Sequence, residues 1–368
     1  MPTDNTIKLN HIFSPIAFLY GIGVWFRNRL FDWGLLQSEQ FPVPVICVGN
    51  LSAGGTGKTP HTEYIIRLLS PLYKVAVLSR GYKRKTTGFV LSTPESTSDE
   101  IGDEPYQMKR KFPDVQVAVD ANRRRGIRNL LAFPEEKRPD VILLDDAFQH
   151  RYVTPSLSVV LTDYNRLYYY DELLPLGRLR EPVSGIRRAD VVIVTKCSDE
   201  LKPIDYRIMG GNMKLMAHQQ LFFTRVCYGE IEPLFPQEAK PLTVKDIQRD
   251  DEILLLAGIA SPEYFIKEAG KYSDKVTAIT FADHHAFGKK DMKQIKAVFD
   301  KMTSPGKLIL VTEKDAARLQ NNPLLPDEWK KMLYYLPITI DFCLDKQDAF
   351  NEMLKKHIIT IQKNCISR

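Results

Sequence analysis

No C-x-x-C pair occurs among the five cysteines of this 368-residue chain, Cys47, Cys197, Cys227, Cys343 and Cys365, so their spacing suggests neither a zinc site nor a disulfide framework. A reducing compartment is the simpler expectation. The amino-terminal region has no basic stretch ahead of a compact apolar run and no small-residue cleavage site after it, which argues against a secretory signal. The longest uncharged apolar run there, about a dozen residues, falls short of the roughly 20 that a spanning helix needs. Low-complexity tracts, Gly/Ser-rich linkers, internal repeats and recognised nucleic-acid modules are also missing. What remains is an ordinary folded composition, 44% apolar and 26% charged, long enough for a sizeable core and two domains. The net charge of +6 suits an anionic ligand, a phospholipid surface or nucleic acid without choosing among them.

From Val43 onward, short β-branched runs alternate with helix-like segments, the pattern of a parallel sheet covered by helices. Predicted strands are VPVICV, KVAVLS, VQVAV, VILLD, LSVVLTD and DVVIVTK, then, after about Glu230, EILLLAG, KVTAITF, KLILVTE and YYLPITI. The proline-dense stretch Tyr228–Leu242 reads as the connection between two α/β units. The expected division is residues 1–36 as an amino-terminal helical segment, 37–230 as a core domain and 231–368 as a smaller α/β domain.

The first of these strands leads into VGNLSAGGTGKTP, Val48–Pro60. The pattern G-x-x-x-x-G-K-[ST] cradles phosphates in converging backbone N–H groups, brings a lysine to the β and γ phosphates and offers a hydroxyl to Mg²⁺. Here Ser52 stands at its first position, with Gly54, Gly55, Thr56 and Gly57 following, and Lys58 and Thr59 take the last two roles. Pro60 fits the first turn of a helix opening at the loop's end. The apolar strand VILLD then ends in Asp145 and Asp146, where carboxylates that hold Mg²⁺ or its waters belong, although acidic pairs at strand ends also form turns.

A kinase must also place an acceptor hydroxyl and supply a base. Asp103 and Glu104 precede Pro105, where Asp103 reads equally as a helix cap. Asp283, His284 and His285 follow an apolar strand and suggest proton handling, metal binding or a surface turn. In PLGRLREPVSGIRRAD, Pro175, Gly177 and Pro182 fix the backbone around Arg180 as a loop presenting a guanidinium to phosphate would be fixed. The segment Ser14–Leu36, rich in Phe, Trp, Tyr and Leu and broken by Arg27 and Arg29, suits either the membrane interface or packing on the core.

Together VGNLSAGGTGKTP, LSRGYKR, GDEP, LLDDAFQHR, LPLGRLREP, FADHHAF and VTEKDAARL, in that order from Val48 to Leu319, resemble the tetraacyldisaccharide 4'-kinases, the lipid A 4'-kinases of Gram-negative bacteria. Ser52 is at home in that family's loop, and the glycine that follows the paired aspartates there is Ala147 here. The resemblance implies a P-loop NTPase-like, mostly parallel sheet with helices on both faces, a smaller second α/β domain and an interfacial amino-terminal helix. It also implies transfer of the ATP γ-phosphoryl group, with Mg²⁺, to the 4'-hydroxyl of a tetraacyl glucosamine disaccharide 1-phosphate. The place is the cytoplasmic face of the inner membrane, reached peripherally or monotopically, with no nucleic acid and no protein partner implied. By the same resemblance Asp103 is the base, assisted by His284, with His285 adjacent to it. Lys58 and Arg180 hold the transferring phosphate, and Thr59, Glu104, Asp145 and Asp146 surround the metal. With Asp103 and His284 in different domains, a cleft closing between them is the expected site. The alternative is a membrane-associated P-loop switch ATPase, which needs no acceptor site.

Overall fold

The computed structural model describes residues 9, 11–259, 262–283 and 285–366. Its strands are β1 (Val45–Asn50), β2 (Val75–Ser79), β3 (Val90–Leu91), β4 (Gln116–Val119), β5 (Val141–Asp145), β6 (Leu157–Asp163), β7 (Val191–Thr195), β8 (Gln220–Tyr228), β9 (Glu232–Pro233), β10 (Glu252–Ala257), β11 (Lys275–Thr280), β12 (Leu308–Thr312), β13 (Leu333–Leu336) and β14 (Ile338–Phe342). The chain forms two compact units, the first from residues 1–226 and 340–368, the second from Cys227–Thr339.

The first unit carries a nine-stranded sheet in the order β14-β8-β7-β6-β1-β5-β2-β4-β3. From β8 through β4 the neighbours run parallel, and β3 adds antiparallel at the far edge. Parallel sheets are apolar on both faces because helices cover both, and β1 shows why its six residues are all buried. Val45 and Cys47 enter one core cluster and Ile46 and Val48 the other. The second cluster is completed by Ile65, Ile66 and Leu69 of the helix Lys58–Leu69 and by Phe350, Leu354 and Ile358 of the helix Gln347–Ile366. Those last three recur every fourth residue, one stripe of a helix.

The second unit is a five-stranded sheet, β11-β10-β12-β13-β9, parallel except for β9. Its strand β10 alternates in the same way, Leu254 and Leu256 into one cluster and Ile253 and Leu255 into the other.

Two features depart from the sequence reading. The expected second domain, 231–368, loses its last segment to the first unit. The reason is Pro337, which has no N–H for a ladder: YYLPITI breaks there into β13, in the second sheet, and β14, in the first. The strand β8, QLFFTRVCY, was not anticipated at all; its burial alternates poorly, with only Phe222–Thr224 consecutively buried.

The helix Ser14–Asp32 docks on the first unit by one face only. At 100° per residue, Ala17, Tyr20, Gly21, Arg27 and Phe31 share a side. Ala17 and Phe31 are buried, Tyr20 Oη donates to Arg180 O at 2.7 Å, and Arg27 donates to Gln149 O at 3.0 Å. Phe18, Leu19, Ile22, Trp25 and Phe26 lie on the other side and are exposed. Among the described residues no helix is long and apolar enough to cross a membrane.

Because the last helix builds the first unit's core, Leu354→Ala is expected to destabilise that unit by about 2–5 kcal/mol. Hydrogen exchange should quicken in β1 and β6 and stay unchanged in β10 and β12; quickening confined to β10 and β12 would refute the assignment of residues 340–368.

Candidate active site

The phosphate loop is built from below and from the side. Below it, Asn50 Nδ2 donates to Thr56 Oγ1 at 2.7 Å, and Thr195 Oγ1, at the end of β7, donates to Thr56 O at 2.9 Å. At its side, Ala53 N donates to Arg178 O at 2.6 Å and Arg180 N to Leu51 O at 2.8 Å, with Ser52 bridged antiparallel to Leu179. Ser52 has no positive φ and lies buried in this short ladder, so the position requires no glycine. Gly57, by contrast, has φ +84° where the loop turns into the helix, a conformation that a Cβ would strain. Lys58 and Thr59 begin the helix there, with its N–H groups facing the loop.

His61 locks this turn. The Gly57 carbonyl, an acceptor only, lies 2.7 Å from Nδ1, so Nδ1 carries the proton and Nε2 accepts from Thr224 Oγ1 at 3.0 Å. The ring is buried, and burial pushes its pKa down to about 4.

The carboxylates come from β5. Asp145, its last residue, is wholly buried and accepts from Ser79 Oγ at 3.1 Å and Thr62 Oγ1 at 3.5 Å. Asp146 follows in the left-handed region at φ 45°, which Asp tolerates better than most residues. It takes two contacts from Arg180 Nη1, at 2.9 and 3.1 Å, and lies 3.8 Å from Lys58 Nζ. Burial, then the charges of Glu104 and Asp146, push Asp145 up to about 7. Burial would raise Asp146 too, but Lys58, Arg180 and Arg123 outweigh it and hold that carboxyl below its usual range. Two adjacent aspartates thus hold protons with opposite readiness.

Glu104 reaches this neighbourhood through a backbone contact. A Cβ on Gly102 (φ +91°) would meet Tyr82 O at 3.0 Å, and one on Gly81 (φ +68°) would meet Ile101 O at 2.9 Å. These two glycines let the turn after β2 and the start of the helix Asp103–Lys111 touch. Asp103 is the first residue of that helix, whose cap is Gly102. The acid therefore stands inside the helix and does not cap it.

Several site residues escaped the sequence reading. Gln149 donates to Asn50 O at 2.7 Å and to Glu181 Oε1 at 3.0 Å while its Oε1 accepts from Arg180 at 3.3 Å. Asp171 accepts both Arg166 Nε and Nη2 at 2.7 Å and the Arg178 N–H at 3.1 Å, pinning the loop that carries Arg180. Arg123, 2% exposed, donates to Asp145 O at 3.3 Å. Only Gln149 had a signal, its place in LLDDAFQHR; the others are ordinary charged residues in sequence. In the second unit, Asp283 pairs with Lys314 at 3.0 Å, and His285 Nε2 lies 3.0 Å from Asp291 Oδ2 with its ring stacked on Phe281. His284 lies outside the described residues.

Carboxylate and hydroxyl oxygens from Thr59, Glu104, Asp145 and Asp146 suit a hard divalent cation such as Mg²⁺. Among the described residues no three acidic, His or Cys side chains converge into a metal cage, and Mg²⁺ ordinarily takes one or two carboxylates plus substrate phosphates and waters.

The family model for tetraacyldisaccharide-1-P 4'-kinase matches residues 9–359. The tetraacyldisaccharide 4'-kinase of Parabacteroides distasonis is 60% identical, covering 99% of each chain. That of Bacteroides thetaiotaomicron is 51% identical over 97% of this chain and 94% of its own. The crystal structure of LpxK from Aquifex aeolicus in complex with ATP superposes with a TM-score of 0.70 at 28% identity, covering 94% of this chain and 98% of that one. The switch-ATPase alternative is not favoured by these matches.

Protonating His61 in the fold is opposed until about pH 4, whereas unfolded it protonates near 6.5. Its contribution is therefore complete above pH 6.5 and lost as pH falls toward 4, amounting to about 2 kcal/mol by pH 5. His61→Asn keeps a donor for Gly57 and should show that much less loss of unfolding free energy between pH 7.5 and 5; equal losses would refute it.

Phosphate loop, paired aspartates and arginine loop meet at the carboxyl ends of the central strands β1 and β5, and the match spans nearly the whole sequence: the chain belongs to the tetraacyldisaccharide-1-phosphate 4'-kinase family and is an ATP-dependent kinase of lipid A biosynthesis.

Proposed function

We propose that this kinase moves the γ-phosphoryl group of ATP to the 4'-hydroxyl of its tetraacyl disaccharide 1-phosphate with Asp103 as the base, assisted by His284. The observation that carries the reading is the sharing of Asp146 by Lys58 and Arg180. Two cations drawn from separate motifs onto one carboxylate are already aimed at the space where a transferring phosphate gathers negative charge. Thr59, Glu104, Asp145 and Asp146 would hold Mg²⁺, which when bound neutralises phosphate charge. Lys58 reaches the β and γ phosphates from the first turn of its helix. Asp103, on the same short segment as Glu104, takes the proton of the acceptor hydroxyl. His285 is engaged by Asp291 and Phe281, which supports His284 as the assisting ring.

The substrate's four acyl chains favour work at the cytoplasmic face of the inner membrane. The exposed apolar side of the helix Ser14–Asp32 supports insertion into the interface without spanning it. An apolar groove of about 290 Å³ between Ala17, Gly21 and Trp25 of this helix and Leu173 and Pro182 supports a place for acyl chain close to Arg180. Tyr20, bonded to the Arg180 carbonyl, joins the two.

Transfer of label from γ-³²P-ATP to the tetraacyl disaccharide 1-phosphate in mixed micelles tests the reaction. Asp103→Ala should lower kcat by about 10²–10⁴ and Arg180→Ala by about 10³, each with the KM for ATP changed little; ATP consumption without labelled lipid would defeat the reading. Replacing Phe18 and Trp25 together by Ser should weaken sedimentation with phosphatidylglycerol–phosphatidylethanolamine vesicles at least about tenfold. It should raise the KM for lipid and leave that for ATP alone. Unchanged sedimentation would rule out the interfacial role.

A further inference from the structure

The helix that opens at the phosphate loop buries an acid for which the reaction so far has no use. Glu63 is 1% exposed on the helix Lys58–Leu69, among the apolar Ile65, Ile66 and Leu69. A buried carboxylate costs free energy unless it is paired and hydrogen-bonded, and this one is both. Its Oε1 accepts from Gln107 Nε2 at 2.9 Å and its Oε2 from Lys111 Nζ at 2.6 Å. Gln107 and Lys111 stand one turn apart on the helix Asp103–Lys111, so a single side chain grips the neighbouring helix at two points. Arg67 Nη2 lies 3.9 Å from the same Oε2, and its guanidinium is 5.7 Å from the ring centre of Phe112, the residue that ends the second helix.

Both ends of this contact are in phase with the site. Glu63 comes four residues after Thr59, and Gln107 four after Asp103; positions four apart lie one above the other on a helix. At 100° per residue, Asp103, Gln107, Lys111 and Glu104 share an arc of about 100°. The bonds of Gln107 and Lys111 turn that arc toward the helix Lys58–Leu69. The order of contacts, Glu63 with Gln107 and then Arg67 with Phe112, means that the two helices run side by side in one direction. The Glu63–Gln107 bond therefore sits one turn below Thr59 on one helix and one turn below Asp103 on the other.

We propose that Glu63 is a positioning residue: by fixing the register of these two helices it sets the distance of Asp103 from the nucleotide held at Lys58 and Thr59. The inference rests on Asp103 being the base. Met108 shares a core cluster with Ile66 and Leu69 and supplies adhesion between the helices. Apolar contacts tolerate a slide along the axis, whereas a carboxylate bonded to two donors one turn apart does not. A buried ion pair adds little net stability over apolar side chains of the same size; what it supplies here is a single register.

Register matters to the transfer step because acceptor oxygen and γ-phosphorus must be aligned, and a misplacement of about 1 Å costs up to about 10²-fold in rate. ATP affinity has separate supports. Asn50 and Thr195 hold Thr56, and His61 holds Gly57, all without the helix Asp103–Lys111. Loss of the Glu63 bonds therefore falls on kcat and spares the binding of ATP.

The test is lipid phosphorylation in mixed micelles by the full-length protein, with the Kd for ATP from calorimetry and the thermal midpoint measured beside it. Glu63→Met combined with Lys111→Met replaces the ion pair by apolar side chains and leaves no buried charge unpaired. Its kcat should fall about 10- to 100-fold while the Kd for ATP moves less than about threefold. Glu63→Gln should recover at least about a third of the wild-type kcat, because its amide accepts from Lys111 and donates to Gln107 once that side chain turns over. If the double variant does not fold, Gln107→Met, which spares the ion pair, should still lower kcat at least about fivefold. Added to Asp103→Ala, the apolar pair should cost less than about threefold more, since no base remains to be placed. An unaltered kcat in the apolar variants beside a large loss in Asp103→Ala overturns the positioning role and leaves the base standing. A full further loss in the Asp103→Ala background overturns it as well, because Glu63 then acts elsewhere. An unimpaired Asp103→Ala defeats the base and this inference with it.

Discussion

The contact on which the site depends is that of Asp146 with Lys58 and Arg180. Three stretches separated by many residues converge on one carboxylate: the helix after β1, the turn after β5 and the loop before β7. A carboxylate partly withdrawn from water, as Asp146 is, costs free energy unless it is paired, and so do the half-buried Arg180 and the more deeply placed Lys58. Each charge therefore makes the others tolerable. The left-handed turn at Asp146, the Ser52–Leu179 ladder and the bond from Gln149 to Asn50 all keep these charges together. The neighbouring Asp145 shows what happens without such partners, since burial and two acidic neighbours leave it close to neutrality in its preference.

Legibility in the sequence tracks how local each cause is. The phosphate loop was readable because strand, glycine turn and helix are contiguous, and the left-handed Gly57 fulfils what the motif requires. The apolar runs that became β1, β2, β5 and β7 were readable because burial on both faces keeps them apolar until the last residue, where Asn50, Ser79, Asp145 and Thr195 face the site. Asp171, Arg123 and the Thr224–His61 bond were not readable, since each acts on a partner brought near only by the folded sheet. Pro337 was visible as a residue, but that it separates strands of two different sheets follows only from which neighbours those strands find.

The amino-terminal helix shows how an ambiguous composition is resolved by periodicity. Its apolar residues read equally as core or as membrane interface, yet the side it lays on the protein is the small and polar one, with Ala17, Tyr20, Gly21 and Arg27. Phe31 is buried near its end, but Phe18, Trp25 and Phe26 point the other way. A helix packed for core stability alone would have reversed that arrangement.

The return of the chain after Pro337 bears on the order in which the protein is made. Residues 227–339 are contiguous and contain every strand of their own sheet, so this unit is complete once the ribosome has passed it. The nucleotide-binding unit begins earlier yet waits longer, because its edge strand β14 and the helix that seals one face of its core follow the second unit in the chain. Domains usually mature from the amino terminus onward. Here that order is inverted, and the apolar face of β1 and its neighbours stays open to water, or to a chaperone, until the helix Gln347–Ile366 leaves the exit tunnel.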